Sequence, residues 1–256
     1  KLLSQARVLT LEDVEPHRYE GGTILKTSRE NPYSDKNIKA GIPQKLWANI
    51  QSLRLDALIT LGGDDTNGVS AKLWQEHPEF TVIGLPKTMD NDIDLPDGAN
   101  TYGFDSYTRA AAAVLRGGQV DAKSTKRVLV VEAFGRNAGF APLRIGALIK
   151  AARTLIPEEK DLGLEKLITD LTRYFKQHGY AIVVVSEGVK INKNFANNQK
   201  ILDEAFAKNP VAKAAFEAGE TKLDAFGHPK LENAGLILAA ILETHLKKVS
   251  ISISSA

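Results

Sequence analysis

Short apolar, β-branched runs alternate along this 256-residue chain with stretches whose apolar positions recur every three to four residues. The runs Ala57–Leu61, Thr81–Leu85, Arg127–Glu132, Thr154–Ile156 and Tyr180–Ser186 read as strands. Leu46, Ile50 and Leu53 predict a short helix before the first strong strand. Leu164, Leu167, Ile168, Leu171 and Phe175 mark one face of an amphipathic helix, and Leu238, Ile241, Leu242 and His245 mark another over Leu231–Leu246. Strand and helix in alternation predict βαβ units and mostly parallel sheets flanked by helices, an α/β fold. The uneven polar stretch Asn192–Lys200 reads as a loop or a minor boundary. The last residues, Val249–Ala256, read as a strand that needs a neighbour to pair with. The chain opens at Lys1 without an initiator Met, so we expect either a part of a longer protein or a chain lacking segments.

Composition narrows the function classes. Charged residues make up 25% and the net charge is +2, so no global field favours nucleic acid or a membrane surface. No apolar stretch reaches the roughly 18–20 residues that a membrane span requires. There is no cysteine, hence neither a disulfide framework nor a thiolate metal site, and the histidines lack metal-ligand spacing. A cytoplasmic location is the default expectation.

The chemistry concentrates where strands end. Gly62-Gly63-Asp64-Asp65-Thr66-Asn67 follows the first strand, and Pro86-Lys87-Thr88-Met89-Asp90-Asn91-Asp92 follows the second. Glycines let backbone N–H groups approach a phosphate, and clustered carboxylates hold a hard cation such as Mg²⁺ through oxygen. Phosphoryl transfer needs both, because positioning and charge neutralisation supply most of its catalysis. Later strands end in Phe134-Gly135-Arg136, Pro157-Glu158 and Ser186-Glu187-Gly188. Ligands of open α/β sheets bind outside the carboxyl ends of the strands, so five such loops imply one shared cleft. Individual residues leave alternatives open. Asp90 is a candidate general base or a turn-shaping residue. Asp64 is a candidate Mg²⁺ ligand or a cap for a helix beginning near Thr66. Asp65 and Lys87 are candidate donor-selecting residues or a simple ion pair.

The ordered series resembles the phosphofructokinase family. Gly62–Asp65 (GGDD) with Pro86–Asp92 (PKTMDND) is similar to the pyrophosphate-using branch, whereas the ATP-using branch carries GGDG and PGTIDND. The resemblance runs from about Gly21 to the chain end. It implies two α/β lobes around an active-site cleft, with a donor-binding lobe at 1–125 and a sugar-phosphate lobe at 126–256. It further implies Mg²⁺-dependent, reversible phosphoryl transfer in glycolysis, from pyrophosphate to the 1-hydroxyl of fructose 6-phosphate.

By the same resemblance, Asp90 is the base, with Thr88 and Lys87 beside it in the catalytic loop, and Asp64 associates with Mg²⁺. Gly63, Asp65 and Lys87 face the donor phosphates. Arg29, closing Gly21–Arg29 (GGTILKTSR), contacts the transferred group, with Lys26 in place of a usual glycine. Thr88, Asp90, Asp92, Phe134, Gly135, Arg136 and Glu187 surround the sugar phosphate, with Phe134 where the family has Met. Arg127 matches an arginine that reaches the sugar phosphate of a neighbouring subunit, which implies a homo-oligomer. Asp224–His228 resembles a segment of the pyrophosphate branch. Two family elements have no counterpart: a GGxxPG phosphate loop ahead of Gly21, and the RxxVLGHxQRGG run that the strand at Lys248–Ser254 would lead into. Two alternatives therefore remain, an ATP-dependent relative and a non-catalytic regulatory or binding subunit of the same fold.

Overall fold

A computed structural model describes residues 7–28, 30–219, 233–246 and 252–255. The expectations on Arg29, on Asp224–His228, on the start of the helix at Leu231 and on 247–251 lie outside the described residues. The chain packs as two compact units, Lys1–Leu85 and Pro86–Ala256.

The first unit opens with a short helix, α1 (Leu11–Val14), held by a capping box between Thr10 and Asp13. α2 (Asp35–Lys39) is capped by the Ser34 hydroxyl. α3 (Ile42–Ser52) starts from Gly41 in the left-handed region, with Pro43 in its first turn, where a missing N–H costs nothing. β1 (Ala57–Gly62), α4 (Asp64–Glu76) and the start of β2 (Thr81–Thr88) complete it. Ile50, Leu73 and Phe80 form its buried centre with Leu46, Trp47, Leu58 and Val82 against them. Leu53 falls at the C-cap of α3 and is 41% exposed, so the apolar stripe ends one turn earlier than the spacing predicts. Trp47 stacks on His77 at 3.7 Å between centroids, while Trp74 is 52% exposed.

The second unit begins within β2, whose end pairs in parallel with the short β3 (Tyr102–Gly103) through Lys87–Tyr102 and Thr88–Gly103. α5 (Phe104–Thr125) follows at once, because Gly103 at φ 105° turns the chain into the helix through a conformation an L side chain resists. A parallel four-stranded sheet has the order β5-β6-β4-β7, formed by β4 (Arg127–Ala133), β5 (Arg153–Leu155), β6 (Ala181–Ser186) and β7 (Ser252–Ser255). The terminal strand thus has the partner it needed, with Arg127 opposite Ser252.

Side-chain alternation assigns the two faces of this sheet. Val128, Val130, Val183 and Val185 point to one side, into a core with Leu164, Leu167 and Leu171 of α7 (Leu164–His178) and Leu238, Ile241 and Leu242 of α10 (Ala234–Leu246). Leu129, Val131, Ile182 and Val184 point to the other, against Ala112 and Ala122 of α5 and Ile145 of α6 (Phe140–Leu148). With both faces covered, β4 and β6 carry near-continuous apolar runs. Each fully buried Leu, Ile or Val contributes roughly 1.5–3 kcal/mol. Within the second unit α5 packs against β4 and β6 and so joins their core.

The polar stretch 192–200 is the least loop-like surprise. α8 (Asn198–Lys208) begins inside it and is followed by α9 (Pro210–Gly219). Asn198, fully buried, accepts from the Leu164 N–H at 3.0 Å, and so supplies a partner for the start of α7. Its amide donates to the carbonyls of Leu162 at 2.9 Å and Asn192 at 2.8 Å. A polar residue is buried here because every one of those groups needs a partner.

Candidate active site

The loop after β2 is built by threonine and asparagine side chains. The Asp90 N–H donates to the Thr88 hydroxyl at 3.1 Å, and that hydroxyl donates to an Asp90 carboxylate oxygen at 3.3 Å. Asn91 sits at φ 58°, a left-handed conformation that Asn tolerates better than most residues, and its side-chain oxygen accepts from the Thr101 N–H at 2.9 Å. The Thr101 hydroxyl, 3% exposed, donates to the Thr88 carbonyl at 2.7 Å. Asn91 and Thr101 therefore fasten the turn, and the Asp90 carboxyl is left half-buried at its rim. Burial raises its pKa above the ordinary aspartate value, and the charges of Asp92 and Glu187 push the same way. The Thr88 hydroxyl and Arg136 pull it back in part. A carboxylate held in this way binds a proton more readily than a solvated one, which suits a general base.

The loop after β4 is held by side chains from three other elements. The Phe134 N–H donates to the Tyr107 phenol oxygen at 2.9 Å. The N–H groups of Gly135 and Arg136 both reach one oxygen of Glu187, at 3.4 and 3.1 Å, and the Gly139 N–H reaches Glu158 at 2.8 Å. Arg136 adopts φ 45°, a conformation costing roughly 1–2 kcal/mol for a residue with a Cβ. Its carbonyl lies so close to Gly188 that a Cβ there would overlap it. The strand-end loops carrying Asp90, Arg136, Glu158 and Glu187 are thus brought together within the second unit. Phe134 stays exposed, tilted against Tyr107 with ring centroids 6.3 Å apart, and Gly135 is buried. Arg127 opens β4, so the seven-residue strand sets it about 20 Å from the loop that carries Arg136. It is the sequence-predicted substrate residue that the chain does not bring to this cluster.

In the first unit, α4 begins at Asp64 with Gly63 as its cap, and no side chain caps it. The capping alternative for Asp64 is therefore not realised: its carboxylate is exposed in the first helical turn, where the helix dipole favours negative charge. Asn67 secures the turn instead, donating to the carbonyls of Gly62 at 2.8 Å and Gly63 at 2.9 Å. Asp65 is half-buried beside it, and Lys87 is exposed near the end of β2. Among the described residues there is no group of three or more His, Cys, Asp or Glu side chains arranged to hold a metal. The oxygen donors present still fit Mg²⁺, which usually takes one or two protein carboxylates and fills its shell with water and substrate phosphate.

Tyr107 and Thr101 join the candidate site without having been named from the sequence, whereas Glu158 and Asn91 were named there only as members of their strand-end loops. The helix entry at Gly103–Asp105 places Tyr107 one turn inside α5, but nothing in the sequence shows that its ring meets the loop after β4.

The phosphofructokinase family profile matches residues 2–246. The chain belongs to the phosphofructokinase family. Among its relatives, the pyrophosphate–fructose 6-phosphate 1-phosphotransferase of Amycolatopsis methanolica is 34% identical over 238 residues, covering 93% of this chain and 61% of the relative. The ATP-dependent 6-phosphofructokinase of Mycobacterium bovis is 32% identical over 250 residues, covering 96% of this chain and 64% of that protein. The chain thus spans about three-fifths of the length of the curated relatives it matches. A crystal structure of a pyrophosphate-dependent phosphofructokinase from Nitrosospira multiformis has the same fold, with a TM-score of 0.61, 19% identity, and coverage of 85% of this chain and 48% of that one. No described helix is long and apolar enough to cross a membrane.

Proposed function

We propose that the protein transfers a phosphoryl group from pyrophosphate to the 1-hydroxyl of fructose 6-phosphate, reversibly and with Mg²⁺, as a cytoplasmic glycolytic homo-oligomer. The half-buried Asp90 carboxyl, its pKa raised by burial and by Asp92 and Glu187, is the observation that carries this reading. Asp90 takes the proton of the sugar hydroxyl as that oxygen attacks the terminal phosphorus, and the bond to the departing phosphate breaks. Thr88 orients Asp90, and Lys87 neutralises charge on the donor. Arg136 and Glu187, on a loop held by backbone bonds, grip the sugar phosphate and its hydroxyls, with Asp92, Phe134 and Gly135 lining the site. Arg127, distant from this cluster along β4, serves the site of a neighbouring subunit. Gly63, Asp65 and Arg29 take the donor phosphates. Asp64 is the residue to hold Mg²⁺, which supplies charge neutralisation on the phosphates when bound.

Pyrophosphate is preferred over ATP because a carboxylate at Asp65 repels the α-phosphate of a nucleotide and Lys87 offers a compact positive charge. The relatives named for pyrophosphate support this choice. The test is turnover of fructose 6-phosphate by the full-length protein with Mg²⁺, comparing the two donors. Activity with pyrophosphate alone, abolished in Asp90→Ala, is the expected result. Preference for ATP would overturn the donor assignment, and no turnover with either donor in a folded preparation would point to a regulatory or binding subunit.

A further inference from the structure

α5 touches the site at a position that the family resemblance assigns no chemistry. Tyr107, half-buried in its first turns, takes the Phe134 N–H on its phenol oxygen at 2.9 Å. Phe134 is followed by Gly135 and Arg136, whose N–H groups are held by Glu187. Three consecutive amides are therefore fixed by only two side chains, and Tyr107 is the one at the loop's entrance, directly after the buried Ala133 of β4. Arg136 beyond it is in a left-handed conformation that the surroundings must impose. The base of the tyrosine is rigid: Phe104 and Thr108 on the same helix are buried, and the Thr108 hydroxyl is bound to the Phe104 carbonyl at 3.0 Å.

We propose that Tyr107 is a positioning residue for the sugar-phosphate side of the site: its phenol oxygen anchors the Phe134–Arg136 loop to α5 and so sets Arg136 and Glu187 for fructose 6-phosphate. The inference rests on the phosphoryl-transfer reading above for the identity of the ligand, but the anchoring bond stands without it. Burial and the nearby charges of Glu187 and Asp90 raise the phenol's pKa, while the bond from the Phe134 N–H works against them. The phenol therefore keeps its proton, and its oxygen serves the loop as the acceptor for the Phe134 N–H. Tyr107 acts through the loop and does not itself exchange a proton with the substrate.

The decisive variant is Tyr107→Phe, which keeps the ring against Phe134 and removes only the anchoring oxygen. One lost hydrogen bond of ordinary strength predicts a rise in KM for fructose 6-phosphate of about three- to tenfold. KM for pyrophosphate should stay within about twofold and kcat should change less than KM. Loss of fold or of general stability would instead lower activity toward both substrates together, and that outcome, or an unchanged KM for the sugar phosphate, overturns the proposal. Amide hydrogen exchange on the same full-length proteins separates this claim from the functional reading. Faster exchange at Phe134 in the variant, with the buried amides of β4 unchanged, supports the anchor even if the wild type turns over neither substrate. Equal exchange at Phe134 in the two proteins refutes it.

Discussion

Asn198→Asp changes one atom's identity at a fully buried position, and its cost can be worked out from the bonds around it. The side-chain oxygen still accepts from the Leu164 N–H, but the amide that donates to the carbonyls of Leu162 and Asn192 becomes a second oxygen facing both. An ionised carboxylate there meets two acceptors at hydrogen-bonding distance in a dry environment, so the chain avoids the charge by keeping the new carboxyl protonated. Holding at pH 7 a proton that a free aspartate would release near pH 3.9 costs roughly 1.36 kcal/mol per pH unit, or about 4 kcal/mol. The protonated group donates to only one of the two carbonyls, which removes one further bond worth about 1 kcal/mol. The predicted loss is therefore about 5 kcal/mol at pH 7. The sign with pH follows from linkage: a raised folded-state pKa gives a penalty that is absent below the unfolded value and grows as pH rises toward the folded one. At pH 4 only about 1–2 kcal/mol should remain. Urea melts of wild type and variant followed by far-ultraviolet circular dichroism at both pH values measure this directly. A loss of equal size at pH 4 and pH 7 would show that Asn198 contributes by packing alone and would refute the reasoning.

Asp90→Asn should lower kcat by about 10²–10⁴-fold, the usual contribution of a general base, while raising the melting temperature at neutral pH. The stability sign is fixed by the raised pKa of Asp90: burial disfavours its charged form, so stability is lost as pH rises through the folded value, and an amide removes that loss. A melting temperature that falls would contradict the electrostatic account. The same shift predicts an acid limb of kcat/KM above the ordinary aspartate range, and Asp92→Asn, by removing the largest charge acting on Asp90, should move that limb to lower pH whatever it does to the rate. A pH–rate profile of the two proteins decides it. Gly188→Ala drives a Cβ into the Arg136 carbonyl and to 3.0 Å from Pro157, so it should cost roughly 1–3 kcal/mol and weaken fructose 6-phosphate binding, read by thermal melts and titration calorimetry.

Hydrophobic pattern alone located β4 and β6, because parallel strands covered on both faces must be apolar at nearly every position. β5 was placed one residue late at Thr154, since a three-residue edge strand has too few positions for alternation to register. The helices after Asn197 were hidden by their polar start, where Asn198 is buried as a hydrogen-bonding hub and not as a hydrophobe. Asp90, Arg136 and Glu187 could be picked out as candidates because each lies in a motif whose chemistry is local, and the fold sets the three near one another. Tyr107 and Thr101 could not, because their roles are contacts across 27 and 13 residues of chain, and only the fold brings those partners together.

The cluster around Asp90 also explains why so much of the neighbouring loop is spoken for. The Asp90 carboxyl is half-buried near Asp92 and Glu187, whose charges add to the effect of burial in raising its pKa. Glu187 offsets part of that effect by accepting from two backbone N–H groups, which also spread its charge. The same two bonds hold Arg136 in its left-handed conformation, close enough for its cation to draw Asp90 back toward ionisation. Glu187 therefore acts on the Asp90 pKa and on the loop geometry at once, whereas Tyr107 bonds only to the loop. A Glu187→Gln substitution should loosen the loop and lower the pKa of Asp90 together, whereas Tyr107→Phe should loosen the loop and leave the acid limb of the pH profile where it is. Parallel movement of that limb in both variants would mean that the loop, and not the Glu187 charge, sets the base.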